Sequence, residues 1–275
     1  MTKQKYFYHE HLADYAELKA KGLMSRGELY GNPDDFREFS SKSFLIETLP
    51  LLDLKPDAQV LELGCGTGPV ACFLAKLGYQ VHGIDVIPDA IDTAKAIAAE
   101  HRLDIQYEVL DVCQLPHRGE RYQLIIDSFC SQGIVTDPDR DAMFSGIKSR
   151  LAKNGYFLMS CCVFEPDREA PETQIIDNAT EKVFTRFDQD ALWDRDTETC
   201  YSRFHPDPFR PGIGPEDYEG TICVNDVWYI HKRCYRSPEN LRLELERHGF
   251  AVLEQSGEVT ENAICVHQDV CPTIS

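Results

Sequence analysis

Gln59-Val60-Leu61-Glu62-Leu63-Gly64-Cys65-Gly66-Thr67-Gly68 decides how the rest of the chain is read. Apolar residues around one acid, running into glycines at every second position, describe a buried strand that turns sharply into a helix over 69–77. Glycine suits such a corner because the backbone takes positive φ and a ligand approaches where a Cβ would stand. The N–H groups that open the following helix can receive a polar or anionic group. The competing pattern is the dinucleotide fingerprint Gly-x-Gly-x-x-Gly. Here the third glycine falls at 68, and the position that fingerprint needs is Pro69, which leaves no room for the close helix contact. Glu62 discriminates further: a carboxylate two residues before the first glycine repels a pyrophosphate but accepts hydrogen bonds from an ammonium group.

The pattern acid-x-Gly-x-Gly-x-Gly, matched at Glu62, Gly64, Gly66 and Gly68, resembles motif I of the class I S-adenosylmethionine-dependent methyltransferases of small-molecule type. The resemblance implies an α/β fold: a Rossmann-like, seven-stranded, mostly parallel sheet with helices on both faces. It also implies S-adenosyl-L-methionine as cofactor, held at the corner by Glu62, Gly64, Cys65, Gly66, Thr67 and Gly68.

Downstream of the corner, strand and helix signals alternate from 59 to 163, which calls for a parallel sheet. A second strand over 79–84 ends in Asp85, whose two oxygens can accept both hydroxyls of a ribose. Val86 follows it in the expected cofactor set. A third strand over 105–110 precedes Asp111 and Val112, which by the resemblance accept from the adenine amine and pack on its ring; alone, Asp111 reads equally as a turn or cap. A fourth strand over 122–126 leads to Asp127, Ser128 and Phe129, at the edge that faces the ligand crevice. By the resemblance, Asp127 and Ser128 lie beside the methionine portion of the cofactor. A helix over 139–151, a turn at 153–155 and a fifth strand over 156–163 complete the run.

Three segments are expected: an N-terminal helical cover over 1–50, a cofactor-binding core over 51–163 and 236–275, and an inserted lid over 164–235. The leader shows helical spacing at Leu12, Tyr15 and Leu18. Tyr30, in a turn, is a candidate for a ring above the sulfonium, against a purely structural pin. The insertion is rich in proline, acids and isolated aromatics, too aromatic for disorder and too broken for regular sheet until a hairpin around Asn225-Asp226. An oligomer contact is the alternative to a lid. Alternation on the second hairpin strand puts Tyr229, His231, Arg233 and Tyr235 on one face.

The 46 acidic against 28 basic side chains give a formal charge of −18, which opposes binding to phosphate backbones or anionic lipid. No nucleic acid and no membrane are therefore expected as partners; the aromatic content of the insertion points instead to a small-molecule methyl acceptor, for a monomer or homodimer. Eleven cysteines, odd in number and without a C-x-x-C pair, point to a reduced, cytoplasmic protein with no metal site. No stretch approaches the roughly 20 apolar residues of a membrane span.

Methyl transfer from a sulfonium is a direct displacement, so alignment dominates and a general base is needed only for some N, O or S nucleophiles. His231, on a polar-aromatic strand face, and His205, within the lid, lead the base candidates with Tyr30 beside the sulfonium; His9 and His11 are further candidates, and Ser131 and Gln132 can hydrogen-bond an acceptor. Three alternatives stand beside the enzyme: a cofactor-binding regulatory protein, a hydride-transferring dehydrogenase, and a metalloid (arsenic-type) methyltransferase using Cys130, Cys161 and Cys162. The last is opposed because adjacent strand residues face opposite ways.

Overall fold

The strand that precedes the glycine corner, β1 (Gln59–Leu63), lies inside the main sheet with a parallel neighbour on each side. The computed structural model describes residues 3–23, 39–117, 121–163, 174–186, 188–208, 210–258 and 260–269. Leu61 and Leu63 enter one hydrophobic cluster and Val60 another, so β1 is covered on both faces, as a central parallel strand must be. β2 (Gln80–Asp85) and β3 (Ile105–Val109) extend the sheet in parallel on one side of β1. On the other side β4 (Tyr122–Ser128) and β5 (Leu151–Cys162) do the same.

Six helices are described: α1 (Phe7–Lys21), α2 (Lys42–Thr48), α3 (Pro69–Lys76), α4 (Pro88–Glu100), α5 (Asp137–Arg150) and α6 (Pro238–Arg247). Leu45 of α2, Leu74 of α3 and Ile91 of α4 pack with Val60 on one face. Phe144 of α5 and Leu245 of α6 pack with Leu61 on the other. Between β3 and β4 the described residues hold only a 3-10 turn, Val112–Gln114, where strict alternation asked for a helix. Strand β5 also starts earlier than its sequence suggests. Leu151 pairs with Tyr122 and Tyr156 with Leu124, so the expected turn at 153–155 is an irregularity within the strand.

The insertion departs most from expectation. It forms β6 (Gln174–Ile176), β7 (Val183–Arg186), β8 (Ala191–Asp194), β9 (Thr199–Arg203), β10 (Ile222–Val224) and β11 (Val227–Cys234), paired antiparallel in the order β10-β11-β9-β8-β7-β6. Most of these strands are three to five residues long, too short to show a clear period of two between their turns. Their shared face nevertheless collects Phe184, Leu192, Tyr201, Val224 and Tyr229 into one apolar cluster. The leader is tied to the segment between β9 and β10: Gln4 N–H donates to the Asp217 carbonyl at 2.7 Å, and Glu219 N–H donates to the Gln4 carbonyl at 2.7 Å.

β12 (Phe250–Gly257) and β13 (Thr260–His267) close the main sheet antiparallel to β5, giving among the described residues the order β12-β13-β5-β4-β1-β2-β3. Chain order reverses between β1 and β4. In an open α/β sheet that reversal opens a crevice at the carboxyl ends of the strands. Below it, Arg140 on α5 is fixed by a bidentate pair with Glu244 on α6, 2.7 and 2.6 Å, and donates to the Ser131 and Ile134 carbonyls at 2.8 and 2.7 Å. The loop after β4 is thus anchored from beneath.

Candidate active site

A cleft of about 330 Å³ opens at the switch point, within the range of small-ligand sites. Its floor is the glycine corner. Gly64, Gly66 and Gly68 all have positive φ, of 60°, 54° and 84°. A Cβ on Gly64 would stand 2.5 Å from the Cys130 sulfur, and one on Gly66 would stand 3.0 Å from the Tyr15 hydroxyl. Side chains there would displace the loop after β4 and the leader helix that form the opposite walls.

Two carboxylates hold the rim. Asp85, at the end of β2, accepts from Gly66 N–H at 2.8 Å and from Ile87 N–H at 2.9 Å. A carboxylate has about four lone-pair sites, so it can fix the corner and still accept from a ligand. Asp111, beyond β3, accepts from Cys113 N–H and from the Gln114 amide, both at 2.9 Å. Asp111 is therefore a cap, and it lines the cavity as well. Ser128, at the end of β4, shares a 2.8 Å hydrogen bond with Ser41.

Of the residues expected around a cofactor, Gly64, Cys65, Gly66, Thr67, Asp85, Val86, Asp111, Val112 and Ser128 line this one cleft. Glu62, Gly68 and Asp127 do not. Glu62 shares the β1 face of Val60, turned toward α3, where its carboxylate accepts from Ala71 N–H in the first helical turn. Burial, reinforced by Asp85, pushes its pKa well up, and Oε2 has no hydrogen-bond partner among the described residues. Gly68 caps α3 and abuts the Tyr107 ring. Asp127 turns inward and accepts from Cys130 N–H at 2.7 Å and Ser131 N–H at 3.2 Å. Its burial raises its pKa against those bonds.

The favoured base candidates do not reach the cleft. His205 is exposed and lies 3.7 Å from Asp190. His231 lines a different cavity with Tyr201 and Arg236, its ring against those of Tyr6 and Tyr201, and burial lowers its pKa to about 4. The expected alternation of β11 fails at a bulge: His231 pairs with Tyr201 but Arg233 pairs with Cys200, leaving Lys232 as the extra residue. Tyr201 and Cys200 are consecutive and face opposite sides, so His231 and Arg233 do too. His9 stacks on Phe204 away from the cleft. Tyr30 lies outside the described residues.

The cleft's remaining walls were not predicted as a set. Phe7, His11 and Tyr15 follow one another at intervals of four on α1 and all face the cavity. His11 Nε2 lies 3.9 Å from where a Gly133 Cβ would stand, which places the imidazole over the 3-10 turn Ser131–Gly133 after β4. Phe129, held at a φ of 66°, Gln132 and Ile134 come from that loop, and Arg233 comes from β11. Arg233 is gripped by Glu10 through a bidentate pair at 2.6 and 2.9 Å. The spacing of Phe7, His11 and Tyr15 was visible in the sequence; the bulge that delivers Arg233 was not.

Cys130 reaches the cleft, whereas Cys161 is buried in the core and burial raises the thiol pKa of both. Among the described residues no three His, Cys, Asp or Glu side chains are grouped to hold a metal ion, and no helix is long and apolar enough to cross a membrane.

Residues 60–155 match the methyltransferase domain family. The chain is 29% identical over 129 residues to the 2-heptyl-1-hydroxyquinolin-4(1H)-one methyltransferase of Mycobacteroides abscessus, covering 46% of this chain and 57% of that enzyme. It is 33% identical over 82 residues to the ubiquinone biosynthesis O-methyltransferase of Bartonella tribocorum, covering 30% and 32%. The matched region thus spans little more than half of the first relative's length and less of the second. In fold it is similar to the CcbJ methyltransferase of Streptomyces caelestis, with a TM-score of 0.60 at 16% identity over 88% of this chain and 95% of that one. The S-adenosylmethionine-dependent methyltransferase of Clostridium acetobutylicum gives 0.57 at 14% identity over 84% and 93%. Residues 60–155 thus match a methyltransferase domain, and the fold around them is similar to that of solved S-adenosylmethionine-dependent methyltransferases.

Proposed function

We propose that the protein transfers a methyl group from S-adenosylmethionine to an N, O or S nucleophile of a small molecule. The observation that carries this is the convergence of the Gly64–Thr67 corner, Asp85 and Asp111 on one cleft at the sheet's switch point. The fit to the cofactor rests on chemistry present there. Asp85 is positioned to accept from ribose hydroxyls, Asp111 to accept from an adenine amine, and Leu110 and Val112 to pack on the base. In this reading the amino-acid end of the cofactor lies along the Gly64–Thr67 corner beside Ser128, which line the same cleft. Bound there, the cofactor supplies an electrophilic methyl group on a good leaving group.

The chain's own task is then alignment and exclusion of water. In this reading the leader over 1–50 and the insertion over 164–235 cover the core of 51–163 and 236–275, with α1 and β11 closing the acceptor end. A small acceptor is supported by the size of the cleft and the −18 charge. Two relatives named for small-molecule acceptors support it as well. Incubation with S-adenosylmethionine and pools of small hydroxyl, amine and thiol compounds tests the proposal. S-adenosylhomocysteine that accumulates only when an acceptor is present is the expected result. Tight cofactor binding with no turnover across the pools would favour a regulatory protein.

A further inference from the structure

The cleft has two chemically distinct ends. Toward β2 and β3 stand the carboxylates Asp85 and Asp111. Toward β4, across β1, stand a base, an amide and a cation: His11, Gln132 and Arg233, with Phe7 and Phe129 in the same lining. Gln132 is oriented by its own carbonyl oxygen, which accepts from Cys162 N–H at 3.0 Å, leaving its amino group as the donor end. Arg233 is held by the bidentate Glu10 pair, and Glu10 immediately precedes His11 on α1, so imidazole and guanidinium are positioned by one helical turn.

Resting on the cofactor reading above, we infer that the methyl acceptor is an aromatic hydroxyl compound, whose proton His11 takes and whose oxyanion Arg233 steadies in a cleft that Phe7 and Phe129 also line. A base suits a nucleophile that must lose a proton before attack, and a guanidinium suits the anion that results. A thiol, more acidic than a phenol, would need the base least. Aromatic side chains in the lining favour an aromatic acceptor. The step balances within these groups: the hydroxyl proton passes to a ring nitrogen of His11 and the oxygen pair forms the new bond to the methyl carbon. The pair of the broken carbon–sulfur bond remains on sulfur, and the imidazolium then returns its proton to water. Glu10 is a positioning residue, since it acts through Arg233.

The test uses 4-nitrophenol as a probe, because its ionisation is read by absorbance without any turnover. The full-length protein, saturated with S-adenosylhomocysteine, is titrated with the phenol at several pH values. In the wild type the bound phenol should be ionised about tenfold or more in excess of the free phenol at the same pH. His11→Gln should abolish the proton acceptor and the paired change Glu10→Gln with Arg233→Gln the cation, each reducing that excess, while calorimetric affinity for S-adenosylhomocysteine stays within twofold. With S-adenosylmethionine, His11→Gln should slow methylation of weakly acidic phenols by about 10²–10⁴-fold and leave phenols already ionised at the assay pH nearly untouched, a pattern that mere structural damage does not give. A wild type that fails to bind or ionise the phenol overturns the inference, as does an equal loss on ionised and un-ionised phenols. Failure to bind S-adenosylhomocysteine would instead strike the cofactor reading.

Discussion

His231 and Arg233 stand two residues apart on one strand yet open onto different cavities, because one bulged residue, Lys232, lies between them. The same bulge turns His231 away from the candidate site and brings Arg233 into its lining. His231 is half-buried against the Tyr6 and Tyr201 rings, and that burial lowers its pKa from 6.5 to about 4 against opposing effects of Asp139 and Asp194. Between those values the unfolded chain binds more protons than the folded one, so stability falls as pH drops through that window. His231→Phe should flatten this acid limb in urea unfolding and leave cofactor affinity unchanged. An unaltered slope would show that His231 is not the group that titrates.

Glu62 carries the opposite dependence. Burial holds its folded pKa well above the ordinary value, so the folded state keeps a proton that the unfolded state loses. The contribution of Glu62 to stability is therefore fullest below about pH 4.3, the unfolded value, and is lost as pH rises through the folded value. Glu62→Gln should gain in melting temperature relative to wild type as pH rises from about 5 to 8. Parallel curves would mean that Glu62 ionises in the folded protein without penalty.

Much of this fold could be read directly from residue pattern, and the reason is burial. β1, β2 and β4 are covered on both sides and advertise themselves as apolar runs, while Ser237 announces α6 as a cap that accepts from Asn240 N–H. The cleft's carboxylates were legible for the same reason, since strand ends fix where Asp85 and Asp111 must fall. What strand position could not convey is which way a side chain turns at the end. Glu62 goes to a helix N-terminus and Asp127 to its own loop. Nor could sequence alternation survive the Lys232 bulge, or reveal that α1 would bring His11 to the end of β4.

Asp85 holds the corner as well as facing the cleft, so its loss has two readouts. Asp85→Ala removes the acceptor of Gly66 N–H and Ile87 N–H and should lower the melting temperature. It should also weaken S-adenosylmethionine binding by about 10–100-fold, the worth of a hydrogen bond to a charged group. Affinity within twofold of wild type would assign Asp85 to the loop alone.

Tyr6 links the leader to the loop behind the cleft. Its buried oxygen accepts from Val135 N–H at 2.6 Å and from Thr136 N–H at 3.2 Å. Tyr6→Phe keeps the ring but strands these donors, and should cost about 2 kcal/mol of unfolding free energy. A neutral substitution would mean that water replaces the hydroxyl.

Calorimetric titration of the protein with S-adenosylmethionine, and separately with NAD, reaches the centre of the account. Saturable one-to-one binding of S-adenosylmethionine is expected, with stabilisation of roughly 2.7 kcal/mol at about 100 times the dissociation constant, and no heat from NAD. Binding of NAD with silence from S-adenosylmethionine would contradict it.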